Sequence, residues 1–245
     1  MKLIKLDAID STNDFLKALS GSQELENFTV VTAENQTKGK GQMGAVWNSE
    51  KSKNLIMSVF VKGFITNADE AYLLNIATAL SVIEALKKNN IKNLSIKWPN
   101  DIMSANSKIA GILIENSFKS DGSVFTIIGI GLNVNQTDFT DLPKASSMAV
   151  VANAIFDKEE ILNLIVQELK TNLELIKLSA TTLWDHYMSL LFKLGLPMPF
   201  KTQDEKTFMG IIKGVSAAGK LIVLLEDDHL VEYGLKEIQM LYSNA

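Results

Sequence analysis

The sequence predicts an α+β chain: a mixed β-sheet domain packed with helices over residues 1–194, then a small β-barrel over residues 195–245. Three observations predict it. Apolar runs of strand length alternate with segments whose apolar residues recur at spacings of three and four. Gly195-Leu196-Pro197-Met198-Pro199 breaks that pattern, because two prolines in three residues cannot continue a helix. Beyond the break lie about five short strands separated by turn signals, the pattern of a small barrel.

Taken in order, Ser11-Thr12-Asn13-Asp14 offers capping side chains just before Phe15, Leu16 and Leu19, which predicts a short helix. Residues 28–33 read as a strand, residues 34–54 as a polar, glycine-rich connection, and residues 55–61 as a buried strand. Over 69–88 the apolar set Leu73, Ile76, Ala77, Leu80 and Ile83 is helical. Strands are expected at 93–98, 109–116 and 123–135. Asp157 with Glu160 three residues later signs a helix start, and Ile161, Ile165, Leu169, Leu173 and Ile176 form its apolar face. A separate helix is expected over 182–192. In the tail, 208–215 and 220–225 read as strands joined at Ala218-Gly219.

Composition narrows the function. Apolar residues make up 47% and charged residues 21% of the chain, enough for a sizeable core. A net charge of -4 argues against a broad nucleic-acid footprint, which needs a basic face. No cysteine is present, so disulfides, thiol nucleophiles and zinc–thiolate sites are ruled out. His186 and His229 stand too far apart in sequence to suggest a metal site. The first residues lack the apolar run of a signal peptide, and no stretch approaches the roughly 20 apolar residues of a membrane span. A cytoplasmic protein without membrane contact is therefore expected.

Three segments carry chemistry. Residues 36–47 read Gln-Thr-Lys-Gly-Lys-Gly-Gln-Met-Gly-Ala-Val-Trp. Gly39, Gly41 and Gly44 satisfy the glycine spacing of a dinucleotide motif, but no helix start follows. Ala45-Val46 stand where a P-loop needs Lys-Ser/Thr. What remains is a loop whose glycines let backbone N–H groups approach an anion, whose lysines add charge, and whose Trp47 ring offers a stacking face. A mobile surface loop ending in a core tryptophan fits it equally. In Lys97-Trp98-Pro99-Asn100-Asp101, proline ends a strand and displays lysine, asparagine and aspartate together. Lys108 then opens the apolar run 109–114, with Gly111 three residues on. Gly129-Ile130-Gly131-Leu132-Asn133 places glycines inside a strand, a mark of close approach or of a bulge. Taken singly, the second segment reads better as a hairpin with exposed polar ends than as a site.

The order and spacing of these segments resemble the biotin–protein ligase family over nearly the whole chain. Ser11-Thr12-Asn13 looks like its Ser-Thr-Asn, residues 36–47 like its adenylate loop, and Lys97-Trp98-Pro99-Asn100-Asp101 matches its hallmark pentapeptide. Lys108 with Ala110-Gly111-Ile112-Leu113 is similar to its catalytic-lysine strand, and Gly129, Gly131 and Asn133 to its Gly-x-Gly-x-Asn strand. The tail from Gly210 resembles its SH3-like barrel, behind a catalytic sheet of class II synthetase type.

The resemblance implies two reactions: biotin and ATP give biotinyl-5′-AMP and pyrophosphate, and a lysine of a biotin carboxyl carrier protein then takes the biotinyl group. It implies catalytic roles for Lys108, Asp101 and Lys40. It implies biotin contacts from Ser11, Thr12, Asn13, Gln36, Gly39, Lys40, Lys108, Gly111, Gly129 and Gly131. Nucleotide contacts fall to Lys40, Gln42, Trp47, Asn100, Lys108 and Asn133, with magnesium carried mainly by the ATP phosphates. For Ser11 and Thr12, helix capping is the alternative role.

Lys40, Gln42 and Ala45 stand where the family often has arginine, so the loop offers fewer bidentate contacts. The motifs begin at Ser11, which leaves no room for the DNA-binding domain of some members, so a ligase that does not bind DNA is expected. A homodimer through the catalytic sheet is among the expected states. The competing readings are a lipoate or octanoate ligase or transferase, and a non-catalytic biotin sensor. The loop from Thr37 to Trp47 should be cut by limited proteolysis in the free protein and protected by biotin with ATP. Equal cleavage in both conditions counts against an ordering loop.

Overall fold

The computed structural model describes residues 1–118 and 122–243, so the last two residues of the expected barrel region lie outside it. The chain opens with strand β1 (Lys2–Leu6), helix α1 (Thr12–Ser22) and strands β2 (Thr29–Ala33) and β3 (Leu55–Lys62). Helix α2 (Ala71–Lys88) leads to β4 (Leu94–Lys97), β5 (Asp101–Ser104), β6 (Ser107–Phe118) and β7 (Val124–Leu132). Helices α3 (Met148–Ala152) and α4 (Lys158–Ser189) follow. The tail holds β8 (Pro197–Thr202), β9 (Thr207–Val215), β10 (Leu221–Leu225), β11 (Leu230–Tyr233) and β12 (Ile238–Met240).

Strands β1 to β7 form one mixed sheet, in the order β1-β2-β3-β7-β6-β5-β4. The pair β1–β2 is parallel because α1 carries the chain back between them; the other pairs are antiparallel. One face of the sheet packs on α2 and α4. Leu74, Ile76, Leu80 and Ile83 of α2 and Ile165, Leu169 and Leu173 of α4 bury themselves with Val59, Ile112, Ile128 and Ile130. α2 is apolar nearly all round because it lies between the sheet and α4. Each such side chain contributes roughly 1.5–3 kcal/mol on burial, which fixes the sheet to this layer.

The other face is covered over part of its area. Leu16 of α1 packs there against Val31, Phe60 and Ile127. Further along the same face the strands present Gly129, Gly131 and Gly111, and the surface is bare. The second sheet, antiparallel in the order β11-β10-β9-β8-β12, stands beside this bare stretch. It docks through Trp98, whose indole N–H donates to the Gly219 carbonyl at 2.9 Å. Tyr72 of α2 closes on Gly219, where a β-carbon would collide with its ring.

Several expectations change. β1 and α3 were not foreseen, and β5 occupies what reads in sequence as a turn. α3 is a single turn begun by the buried Ser147 cap, too short to show a period. The two helices expected over 157–192 are one element, α4, interrupted at Ser179 (φ -160°, ψ 69°). Its hydroxyl meets that of Thr182, the local bonding by which serine and threonine compete with helix. The tail strands form an open sheet rather than a closed barrel, since β11 and β12 end the order unpaired with each other.

A buried polar pin orders the chain beyond β7. The Asn54 amide donates to Gln136 Oε1 at 2.6 Å and accepts the Val134 N–H at 3.0 Å. Asn54→Ala leaves the Val134 N–H without its partner, at ~1–3 kcal/mol for one buried group, while Gln136 Oε1 keeps the Glu50 N–H at 3.2 Å. We expect a loss of about 1–3 kcal/mol in urea unfolding with an unchanged m-value. A change below about 0.5 kcal/mol, the range of ordinary surface substitutions, contradicts the pin.

Candidate active site

The site is set by register. Pairing aligns Ile56 on β3, Gly131 on β7, Gly111 on β6, Asp101 on β5 and Lys97 on β4 in one row across five strands. A second row aligns Val31, Ser58, Gly129 and Leu113. Glycine at 111, 129 and 131 removes the side chains that would otherwise fill this face. A β-carbon on Gly131 would fall inside the Trp47 ring, and one on Gly129 would fall on the Asn13 amide.

The charged end of the first row is compact. Lys108 Nζ lies 2.6 Å from Asp101 Oδ1, and Lys97 Nζ lies 3.6 Å from Asp101 Oδ2. A bulge opposite Ile102 and Met103 adds one residue to β6. It turns Lys108 onto the face of Gly111 three residues later, where unbroken alternation sends it to the other side. The Lys108 ammonium sits 3.2 Å from the position of a Gly111 β-carbon and 5.4 Å from the centre of the Trp47 ring. An anion in this groove meets two lysines and one carboxylate.

The opposite end is a polar network at the start of α1. Ser11 caps the helix, its hydroxyl accepting the Asp14 N–H at 3.3 Å. Thr12 donates its N–H at 2.7 Å and its hydroxyl at 3.0 Å to Gln36 Oε1. The buried Ser58 hydroxyl lies 2.8 Å from Thr12 Oγ1 and 2.6 Å from Asn13 Oδ1. Asn13 in turn donates to Glu115 Oε2 at 2.8 Å.

The loop folds over the groove. Trp47 N–H donates to the Gly39 carbonyl at 3.0 Å, and Gly41 N–H to the Ala45 carbonyl at 2.7 Å. This hairpin lays the indole on Gly111 and Gly131. Its Nε1 is buried and has no hydrogen-bond partner among the described residues. This N–H lies against the Gly131 backbone, and a buried unpaired donor costs ~1–3 kcal/mol. Lys40 donates to Asp14 at 2.7 Å, and that carboxylate holds its ammonium above the ordinary lysine range.

Together these parts line a cavity of about 500 Å³, closed on one side by Phe200, Ile212, Leu221, Ile238 and Met240 of the second sheet and by Leu235 of its β11–β12 turn. Of the residues singled out in sequence, Ser11, Thr12, Asn13, Gln36, Lys40, Gln42, Trp47, Asn100, Asp101, Lys108, Gly111, Gly129 and Gly131 all line it. Asn100 also clamps β6, its backbone and side chain bonding the N–H and carbonyl of Ile112. Two residues stand apart from the lining. Gly39 is buried beneath the Trp47 carbonyl, where it shapes the hairpin. Asn133 is buried and donates to the Ser146 carbonyl at 3.0 Å.

Sequence reasoning missed Ser58 and Glu115. The signal for Ser58 was a lone polar residue inside an apolar strand run, and for Glu115 a carboxylate closing the apolar run 109–114. It also missed the wall from the second sheet, for which no local signal exists.

The match to known proteins follows this geometry. The family model described as "Biotin/lipoate A/B protein ligase family" matches residues 6–135. The bifunctional ligase/repressor BirA of Bacillus subtilis (strain 168) is 30% identical over 244 residues, covering 96% of this chain and 71% of that protein. A biotin–[acetyl-CoA-carboxylase] ligase of Mycobacterium tuberculosis (strain ATCC 25618 / H37Rv) is 26% identical over 214 residues, covering 86% of this chain and 79% of that one. The solved biotin protein ligase from Aquifex aeolicus in complex with biotin and ATP aligns with a TM-score of 0.81 at 27% identity, covering 99% of both chains. The chain belongs to the biotin/lipoate A/B protein ligase family.

Proposed function

We propose that this chain is an ATP-dependent biotin–protein ligase that forms biotinyl-5′-AMP and transfers biotin to a lysine of a carboxylase carrier protein. The observation that carries the reading is the ammonium of Lys108 at the charged end of a glycine-bared groove. The similar proteins named for biotin favour that acid over lipoate. ATP as a substrate supports a cytoplasmic location, and the acidic balance supports a ligase that does not bind DNA.

In the first reaction a biotin carboxylate oxygen attacks the α-phosphorus of ATP. The new bond is the acyl–phosphate bond; the bond to the bridging oxygen breaks and pyrophosphate leaves. Lys108 lowers the repulsion between the two anions and stabilises charge on the phosphoryl oxygens. Asp101 keeps that ammonium in place and is itself balanced by Lys97. The polar network of Thr12, Gln36, Ser58 and Asn13 suits the polar ring of the acid at the far end. In the second reaction the carrier amine attacks the acyl carbon, AMP departs with the electron pair of the anhydride bond, and the amine loses a proton.

Magnesium fits this site as a companion of ATP. Among the described residues no group of three carboxylate or imidazole ligands exists, and the carboxylate lining the cavity, Asp101, is engaged by two lysines. When bound with ATP, the ion would supply neutralisation of phosphate charge.

Biotin-dependent ATP–pyrophosphate exchange, with labelling of a carrier domain, tests the function; lipoate or octanoate supporting the exchange better than biotin favours the related acids. Lys108→Met keeps roughly the side-chain length and deletes the charge. We expect exchange to fall on the order of 10²–10³-fold. Transfer from supplied biotinyl-5′-AMP should keep a larger share, because its nucleophile is neutral. An equal fall in both reactions refutes this division of labour.

A further inference from the structure

Lys236 lies in the turn between β11 and β12, on a left-handed backbone (φ 65°). Glu237 accepts the Gly234 N–H at 2.6 Å and ties that turn. The Lys236 ammonium lines the cavity and donates to the Met43 carbonyl at 2.7 Å, a neutral partner at the tip of the loop over the groove. Met43 is itself left-handed (φ 54°, ψ 39°), and Gly44 beside it has φ 81°. A non-glycine residue keeps that conformation where its surroundings hold it. The stem of the loop is tied on the other side, through Lys38 to Asp10 and Lys40 to Asp14. The tip, Gln42–Gly44, has no charged side chain, so a charge-assisted tie must come from outside it.

We infer that Lys236 is a positioning residue that latches the tip of the loop to the second sheet, so that the loop over the groove closes against both sheets. The consequence for the reaction rests on the ligase reading: the latch slows escape of the adenylate. The latch itself does not rest on that reading, since it is a contact between two parts of the chain.

Amide hydrogen exchange of the full, ligand-free chain tests it. In Lys236→Met the Gly41, Ala45 and Trp47 amides should exchange roughly three- to tenfold faster, the effect of losing one exposed charge-assisted hydrogen bond. Amides in the middle of α2 should not change, and Lys236→Arg should restore protection. Unchanged loop exchange overturns the latch, and so does a uniform rise that arginine does not rescue. In a second measurement, release of biotinyl-5′-AMP should quicken by a similar factor in Lys236→Met while the KM for biotin holds. Faster loop exchange with unchanged release overturns the role in adenylate retention. A wild-type chain that forms no adenylate overturns the ligase reading, and the exchange data still decide the latch.

Discussion

The absence of side chains at three positions governs the site. Gly111, Gly129 and Gly131 face the same side of the central sheet, and antiparallel pairing brings Gly111 opposite Gly131. Any larger residue there meets Trp47 or Asn13. The helices can fill the other face without compromise, while this one is covered by α1 at one end and left open at the other. A groove made in this way has a rigid backbone floor, because its strands are central in the sheet and bonded on both sides. Groups placed on such a floor hold their geometry better than groups on loops.

Around that floor the polar chemistry is divided by distance. One end concentrates charge, with a single carboxylate between two ammonium groups. The other end is a hydrogen-bonded chain of uncharged side chains, from Gln36 through Thr12 and Ser58 to Asn13. A polar, hydrogen-bonded end and a cationic end suit a ligand that is itself polar at one end and anionic at the other. The intervening wall is apolar, from Ile56 and Leu113 and from the second sheet. Apolar walls lower the local dielectric, so each charge interaction within them gains strength.

Much of this was legible in the sequence, and the reasons differ by element. α1 was visible because Ser11 caps it, and α2 because its apolar residues keep a helical period. The lysine and carboxylate were visible as polar residues displayed at strand ends. Their partnership was not, because Asp101 meets Lys108 only through the pairing of β5 with β6. Lys40 shows the opposite case. Its charge was evident, but its partner Asp14 sits on another element. Asn133 looks in sequence like a residue facing the groove, yet its amide is spent on holding the chain after β7. Strand alternation gives the face of a residue within the strand, and β7 ends at Leu132.

The boundary that the two prolines mark in sequence is not a boundary of the site. Phe200, Ile212 and Ile238 belong to the second sheet, lie within the main core, and also close the cavity. Trp98, inside the pentapeptide that carries Lys97 and Asp101, bonds across to Gly219. Any shift of the second sheet is therefore felt at the charged row through one covalent segment of five residues. The same sheet reaches the loop at Met43. The loop, the charged row and the wall thus share one support, and the chain beyond residue 195 forms part of the pocket rather than an appendage to it.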